Sequence, residues 1–244
     1  MNYILACKNL ELSPVGPLLQ KAAGKLLAIL LILVASLFFQ NAVFAAVAHD
    51  SASESHTGTT GSANQASFTW NHTPAGTPRG VLVYVFTRSA TQTVTGVTYG
   101  GVAMAAVAGG LAIDTGGEAG RVDTFFLGAS IPTGARPVVV SRTNNGTVMY
   151  ASAATQTAGA NTEVYTPGIV LLQENGTYAE QPVDDGSPGV NSVRYAAGYA
   201  GGNNVLAAGA ASTILNNIDF GAYTANTARE TTAGQGARNV GFTS

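Results

Sequence analysis

VLVYVF, Val81 to Phe86, is a continuous run of apolar, β-branched and aromatic residues. Such a run, closed off by turn residues, reads as a central strand buried on both faces. Upstream, Ser67-Phe68-Thr69-Trp70-Asn71 alternates apolar and polar positions as a half-buried strand does, and Pro74-Ala75-Gly76-Thr77-Pro78 breaks it. Before that, residues 49–66 are rich in Ser, Thr and Gly and show no apolar period, so they read as a flexible linker.

Downstream, turn chemistry marks three hairpins. Val97-Thr98-Tyr99 is expected to meet Val102-Ala103-Met104 across Gly100-Gly101, and Val138–Arg142 to meet Thr147–Tyr150 across Asn144-Asn145-Gly146. Ile169–Gln173 is expected to meet Thr177–Ala179 across Asn175-Gly176. Gly-Gly and Asn-Gly supply the positive φ angles that tight hairpins need. VDTFFL, Val122 to Leu127, reads as a further strand, with Asp123 directed outward by alternation. Ser192–Tyr199, Val205–Ala211 and Arg238–Thr243 follow, although Asn203–Leu215 also suits a helical turn. About ten short strands with Gly, Pro and Asn punctuation and no long amphipathic helix imply an all-β fold. The expected architecture is an antiparallel two-sheet β-sandwich, jelly-roll-like, over residues 67–244. The chain ends at Ser244 directly after an apparent strand, so a free sheet edge able to accept a neighbour's strand is expected.

The Gly100-Gly101 hairpin, the aromatic strand Thr124–Leu127, the turn Pro132-Thr133-Gly134 and the strand Val138-Val139-Val140 together carry a resemblance. Between Phe68 and Phe242 the chain is similar to a β-sandwich module recurring in large secreted bacterial surface proteins and some phage virion proteins. The resemblance implies the fold. That family has no established activity, so no functional residue carries over.

Residues 1–48 read as a leader. Lys21 and Lys25 precede an apolar run, Leu26–Phe39, followed by small residues at Ala45-Ala46-Val47-Ala48. This is the order of a secretory signal helix and its cleavage site, and the run is shorter than the roughly 20 residues a membrane span needs. Retained as a signal anchor, the same segment would tether the domain; cleaved, it leaves a secreted or cell-surface protein. All three lysines and Cys7 lie in the leader, so the remainder has no thiol for a disulfide, a nucleophile or a metal site. Eight arginines against twelve acidic residues, without a basic cluster, argue against nucleic acid and against anionic membrane surfaces.

Catalytic patterns are sparse. Of His49, His56 and His72, two fall in the expected linker, and all three read as solvated polar residues. No Gly-x-Ser-x-Gly, Walker or His-Glu-x-x-His motif occurs. A glycoside hydrolase would need two facing carboxylates. Asp114, Glu118, Asp123, Glu174, Glu180, Asp184, Asp185 and Asp219 are available, most of them beside Gly or Pro, where acids serve turns. Asp184 and Asp185, in Glu180–Gly186, are candidate Ca²⁺ ligands, but the alternating spacing of a calcium loop is missing and a wet acidic turn accounts for them. Tyr178 and Tyr223, flanked by turn residues, are the candidate exposed rings for stacking on a sugar, whereas Trp70 and Tyr84 belong to the core. The expectation is a non-catalytic surface module for binding or adhesion, with glycans or sister subunits as partners. A structural subunit of a filament or virion-like particle is the main alternative, and a carboxylate-pair glycoside hydrolase the other.

Overall fold

Val81, Val83 and Val85 point to one side of their strand and Leu82, Tyr84 and Phe86 to the other, and all six are buried in two separate apolar clusters. One strand with both faces covered requires a layer on each side, and the fold is organised around that requirement. The computed structural model describes residues 25, 48–50, 55–56, 65–115, 119–143, 149–158, 181–183, 193–201, 206–219, 223–230 and 238–243. The chain divides into two units, Met1–Val43 and Phe44–Ser244. Of the first unit only Lys25 is described, helical and exposed. The apolar run Leu26–Phe39, the hairpin at Asn175-Gly176, Tyr178, Asp184 and Asp185 all lie outside the described residues. Among the described residues no helix is long and apolar enough to cross a membrane.

In the second unit the first ten strands are β1 (Ala48–His49), β2 (Ser55–His56), β3 (Ser67–His72), β4 (Gly80–Thr87), β5 (Val94–Tyr99), β6 (Val102–Ala103), β7 (Ala105–Asp114), β8 (Gly120–Leu127), β9 (Arg136–Arg142) and β10 (Met149–Ala158). They form two antiparallel sheets. The central sheet runs β1-β10-β4-β8-β7, with β2 also on β10, and the front sheet runs β3-β9-β5-β6. Four nested pairs, β1·β10, β3·β9, β4·β8 and β5·β6, make one long antiparallel ribbon folded back at Gly100-Gly101. Rolling that ribbon brings β10 beside β4 and β9 beside β5. This is the strand order of a jelly roll. At the ribbon's tip Gly100 and Gly101 have φ of 57° and 84°, the left-handed conformation that the hairpin turn demands.

The valines of β4, Phe125 and Leu127 of β8, and Met149, Ala151 and Ala153 of β10 pack against Val97, Tyr99, Val138 and Val140 of the front sheet. The opposite face of the central sheet is covered by a third sheet, adding a rear layer to the sandwich. It consists of β12 (Tyr195–Gly201), β15 (Tyr223–Glu230) and β14 (Ser212–Asp219), in that order. Its Tyr199, Ile218, Tyr223 and Ala225 meet Leu82, Tyr84, Phe86 and Tyr150. Two small pairs complete the described part, β11 (Gln181–Val183) on β16 (Arg238–Val240) and β13 (Ala207–Ala208) on β17 (Phe242–Thr243). Leu206 and Phe242 close a third cluster over Ala228.

Four expectations are corrected. The strands expected to pair across Asn144-Asn145-Gly146 lie in different sheets, β9 between β3 and β5, and β10 beside β4. Val138 and Val140 of β9 and Met149, Ala151 and Ala153 of β10 enter the same core from opposite sides, which a hairpin between them would prevent. The segment expected to be a linker contributes β1 and β2 along the outer edge of β10. Asp123 does not point to solvent; it is buried, with Arg121 donating to both carboxylate oxygens at 2.7 and 2.5 Å. In place of the helical turn considered for Asn203–Leu215 stand β13 and the start of β14.

Candidate functional site

Tyr223 is not the exposed ring its turn-like surroundings suggest. Thr224, Asn226 and Thr227 are strand residues of β15, and the Tyr223 side chain is only 9% exposed. Tyr199 stacks on it at 5.6 Å, and the Arg88 guanidinium lies 3.7 Å from its ring centre. A ring held this way packs the rear sheet onto the central one and presents no stacking surface to a sugar. Tyr84 and Tyr150 share this interlayer, and burial pushes both phenols above their usual range, with the Arg88 charge opposing the rise at Tyr150. Trp70 is half-buried and stacks with Phe68 at the margin of the front core.

Histidine chemistry is concentrated at His72, the last residue of β3. Its side chain is 0% exposed, against the expectation of a solvated residue. Ser55 Oγ of β2 lies 2.8 Å from Nδ1 and Thr155 Oγ1 of β10 lies 2.6 Å from Nε2. The Trp70 indole donates to the same Ser55 oxygen at 2.9 Å, and the ring meets Tyr99 edge-on at 5.8 Å. Burial lowers the imidazole pKa from 6.5 to about 4, while the Asp50 carboxylate pulls it the other way. A Ser–His contact is also the start of a nucleophile–base pair. A base with so low a pKa accepts protons poorly near neutrality, and the third group here is a hydroxyl rather than an orienting carboxylate. The arrangement fits a polar tie between strands better than a nucleophile.

Among the described residues no three His, Cys, Asp or Glu side chains converge as metal ligands would. Asp123 is taken up by Arg121. Glu118, Glu174 and Glu180 lie outside the described residues with Asp184 and Asp185.

The surface feature that remains is the free side of β7. This strand ends the central sheet and, among the described residues, pairs with β8 alone. Ala105 to Ile113 contains no charge and no proline. Ala112 faces the rear core, whereas Leu111 and Ile113 are 46% and 41% exposed, the large apolar side chains left in solvent among the described residues. A bulge separates the two halves of the strand, between Ala106 and Leu111. Gly109 there has φ of 70°, and a Cβ on Gly110 would lie 2.9 Å from Thr124. Sequence reading missed this strand because an Ala/Gly-rich segment has no period. The signal available was its lack of the Lys or Pro that usually guards an edge.

Comparison with protein-family models, with curated proteins and with solved structures finds no match.

Proposed function

We propose that the chain is an exported, non-catalytic structural module that associates with copies of itself, and that β7 is the edge through which it does so. The observation that carries this reading is the side of β7 left without a strand partner among the described residues, with Leu111 and Ile113 in solvent. An unguarded edge offers backbone donors and acceptors to any extended partner, and this edge is self-complementary. In an antiparallel two-fold pairing centred on Ala112, Leu111 of one copy stands opposite Ile113 of the other. Asp114 then faces the small Gly110, so no like charges meet. A pairing of this length buries far less than the roughly 1,200 Å² of a stable standard interface. Association is therefore weak for a single pair and builds up with concentration, as suits a repeated subunit. The leader, with its charge, apolar run and small-residue site, supports export. The glycan reading loses Tyr223 to the interlayer and keeps Tyr178 as its candidate ring.

Backbone amide exchange measured at rising protein concentration tests this. Self-pairing predicts that the amides between Leu111 and Ile113 that point away from β8 gain protection with concentration while those of β4 do not change. Constant exchange along β7 over a hundredfold range in concentration would overturn it.

A further inference from the structure

Between its two halves β7 carries an excess of chain. Ala105 and Ala106 pair with Phe126 and Phe125, and Leu111 resumes the ladder at Asp123, so residues 107–110 of β7 stand against Thr124 alone. An ordinary bulge sets two residues against one. This larger one is firmly built. Gly109 takes the left-handed φ of 70°, and Gly110 lies so close to β8 that a Cβ on it would sit 2.9 Å from Thr124 Cβ and 3.0 Å from Val107 Cβ. The bulge also reverses the alternation of the strand. Ala106 shares a face with Phe125, and Leu111 shares that same face with Asp123, so even-numbered residues take the front side before the bulge and odd-numbered ones after it.

We propose that this bulge is a guard that confines pairing on β7 to Leu111–Asp114 and so keeps each contact with a second copy short and weak. The inference rests on the assignment of β7 as the self-pairing edge and adds what limits it. A strand laid along an edge alternates strictly and presents its N–H and C=O groups at a fixed spacing. One that matches Leu111 and Ile113 reaches residues 107–110 out of step, and the left-handed backbone at Gly109 takes the groups there out of line with the edge. Ala105 and Ala106 beyond it are too few to hold a partner by themselves. Without the bulge the edge would be a hazard. Ala105 to Ile113 contains no charge and no proline, and a long, uncharged apolar edge is a template for unlimited strand addition. The bulge does for the first half of β7 what lysine or proline does at other edges, and leaves one short stretch open.

Deleting Ala108, Gly109 and Gly110 tests it. The shortened strand sets Ala105, Ala106, Val107, Leu111, Ala112, Ile113 and Asp114 one for one against Phe126 to Gly120, and restores a single alternation along an unbroken edge. Sedimentation velocity of the full chain is expected to show the deletion variant associating at a concentration at least tenfold lower than the wild type. If the wild type associates and the variant does so no more tightly, the guard is overturned while self-pairing through β7 stands. If the wild type stays monomeric and the variant associates, the guard stands and self-pairing of the natural chain fails. If neither associates, both fall. Should circular dichroism show that the variant does not fold, a peptide of sequence AAVLAID added in excess to the wild type decides the question by hydrogen exchange. The amides between Leu111 and Ile113 that point away from β8 are expected to gain protection and those of residues 105–110 are not. Protection gained along residues 105–110, or along neither stretch, would overturn the guard.

Discussion

Thr155 Oγ1 lies 2.6 Å from His72 Nε2, joining the end of a front-sheet strand to the central-sheet strand across from it. Elsewhere the two sheets meet through side chains such as Val83, Val97 and Val138, which attract without direction. At this corner the join is polar, directional and dependent on a neutral ring.

The acid limb of stability follows from that ring. Its folded pKa of about 4 lies below the 6.5 of an unperturbed histidine, so between these values the unfolded chain binds the proton more readily. The contribution of His72 is complete above pH 6.5, declines as pH falls, and is gone below pH 4. A displacement of that size corresponds to about 3 kcal/mol. Urea midpoints between pH 7 and pH 4 should fall accordingly in the wild type and much less in His72→Gln.

Truncating Phe86, 1% exposed in the rear core, should lower unfolding free energy by about 3–5 kcal/mol in Phe86→Ala, through lost burial and the cavity left behind. Val85→Ala, one residue away but in the front core, should also destabilise, by a smaller amount because fewer atoms are removed. Denaturation of both variants checks the two-faced burial of β4. A surface-like effect below about 0.5 kcal/mol at either position would contradict it.

Arg194 Nη1 donates to Glu230 Oε2 at 2.8 Å, with side chains only 4% and 1% exposed. Glu230→Gln removes the charge opposite Arg194 Nη1, and removing one partner of a buried pair typically destabilises by about 3–5 kcal/mol. Thermal unfolding should show the loss, and Arg194→Met with Glu230→Leu together should recover most of it.

At the ribbon's tip the two glycines should respond unequally. A Cβ on Gly100 would lie 2.9 Å from Pro132 Cγ, whereas one on Gly101 meets nothing within 4 Å. Gly101→Ala therefore bears only the left-handed backbone penalty of about 1–2 kcal/mol, and Gly100→Ala bears that plus a clash. Equal destabilisation of the two variants would count against the described turn.

The parts of this fold that were legible in sequence are those where local chemistry and burial agree. Val81–Phe86 showed a two-faced strand because no polar residue interrupts it, and Gly100-Gly101 showed a turn because both positions need positive φ. Asn145-Gly146 misled, because turn residues mark a reversal without naming the strand that will be met afterwards. β7 and β15 were illegible for a different reason. Alanine, glycine, threonine and asparagine carry little hydrophobic contrast, so the burial of Tyr223 depends on Leu82, Tyr84 and Arg88 far away in the chain, and the exposure of Leu111 on the place of β7 at the end of its sheet. His72 belongs with these, since what buries it is a polar segment with no apolar period of its own.

Sedimentation velocity of the chain over a hundredfold concentration range, beside the Leu111→Lys, Ile113→Lys double variant, is the sharpest test of assembly through β7. Lysines on the free side of that strand repel their own copies and leave the cores untouched. Self-pairing predicts that the wild type shifts to larger species with concentration and that the variant stays monomeric with unchanged circular dichroism. A monomeric wild type throughout, or a variant that associates as the wild type does, would contradict it.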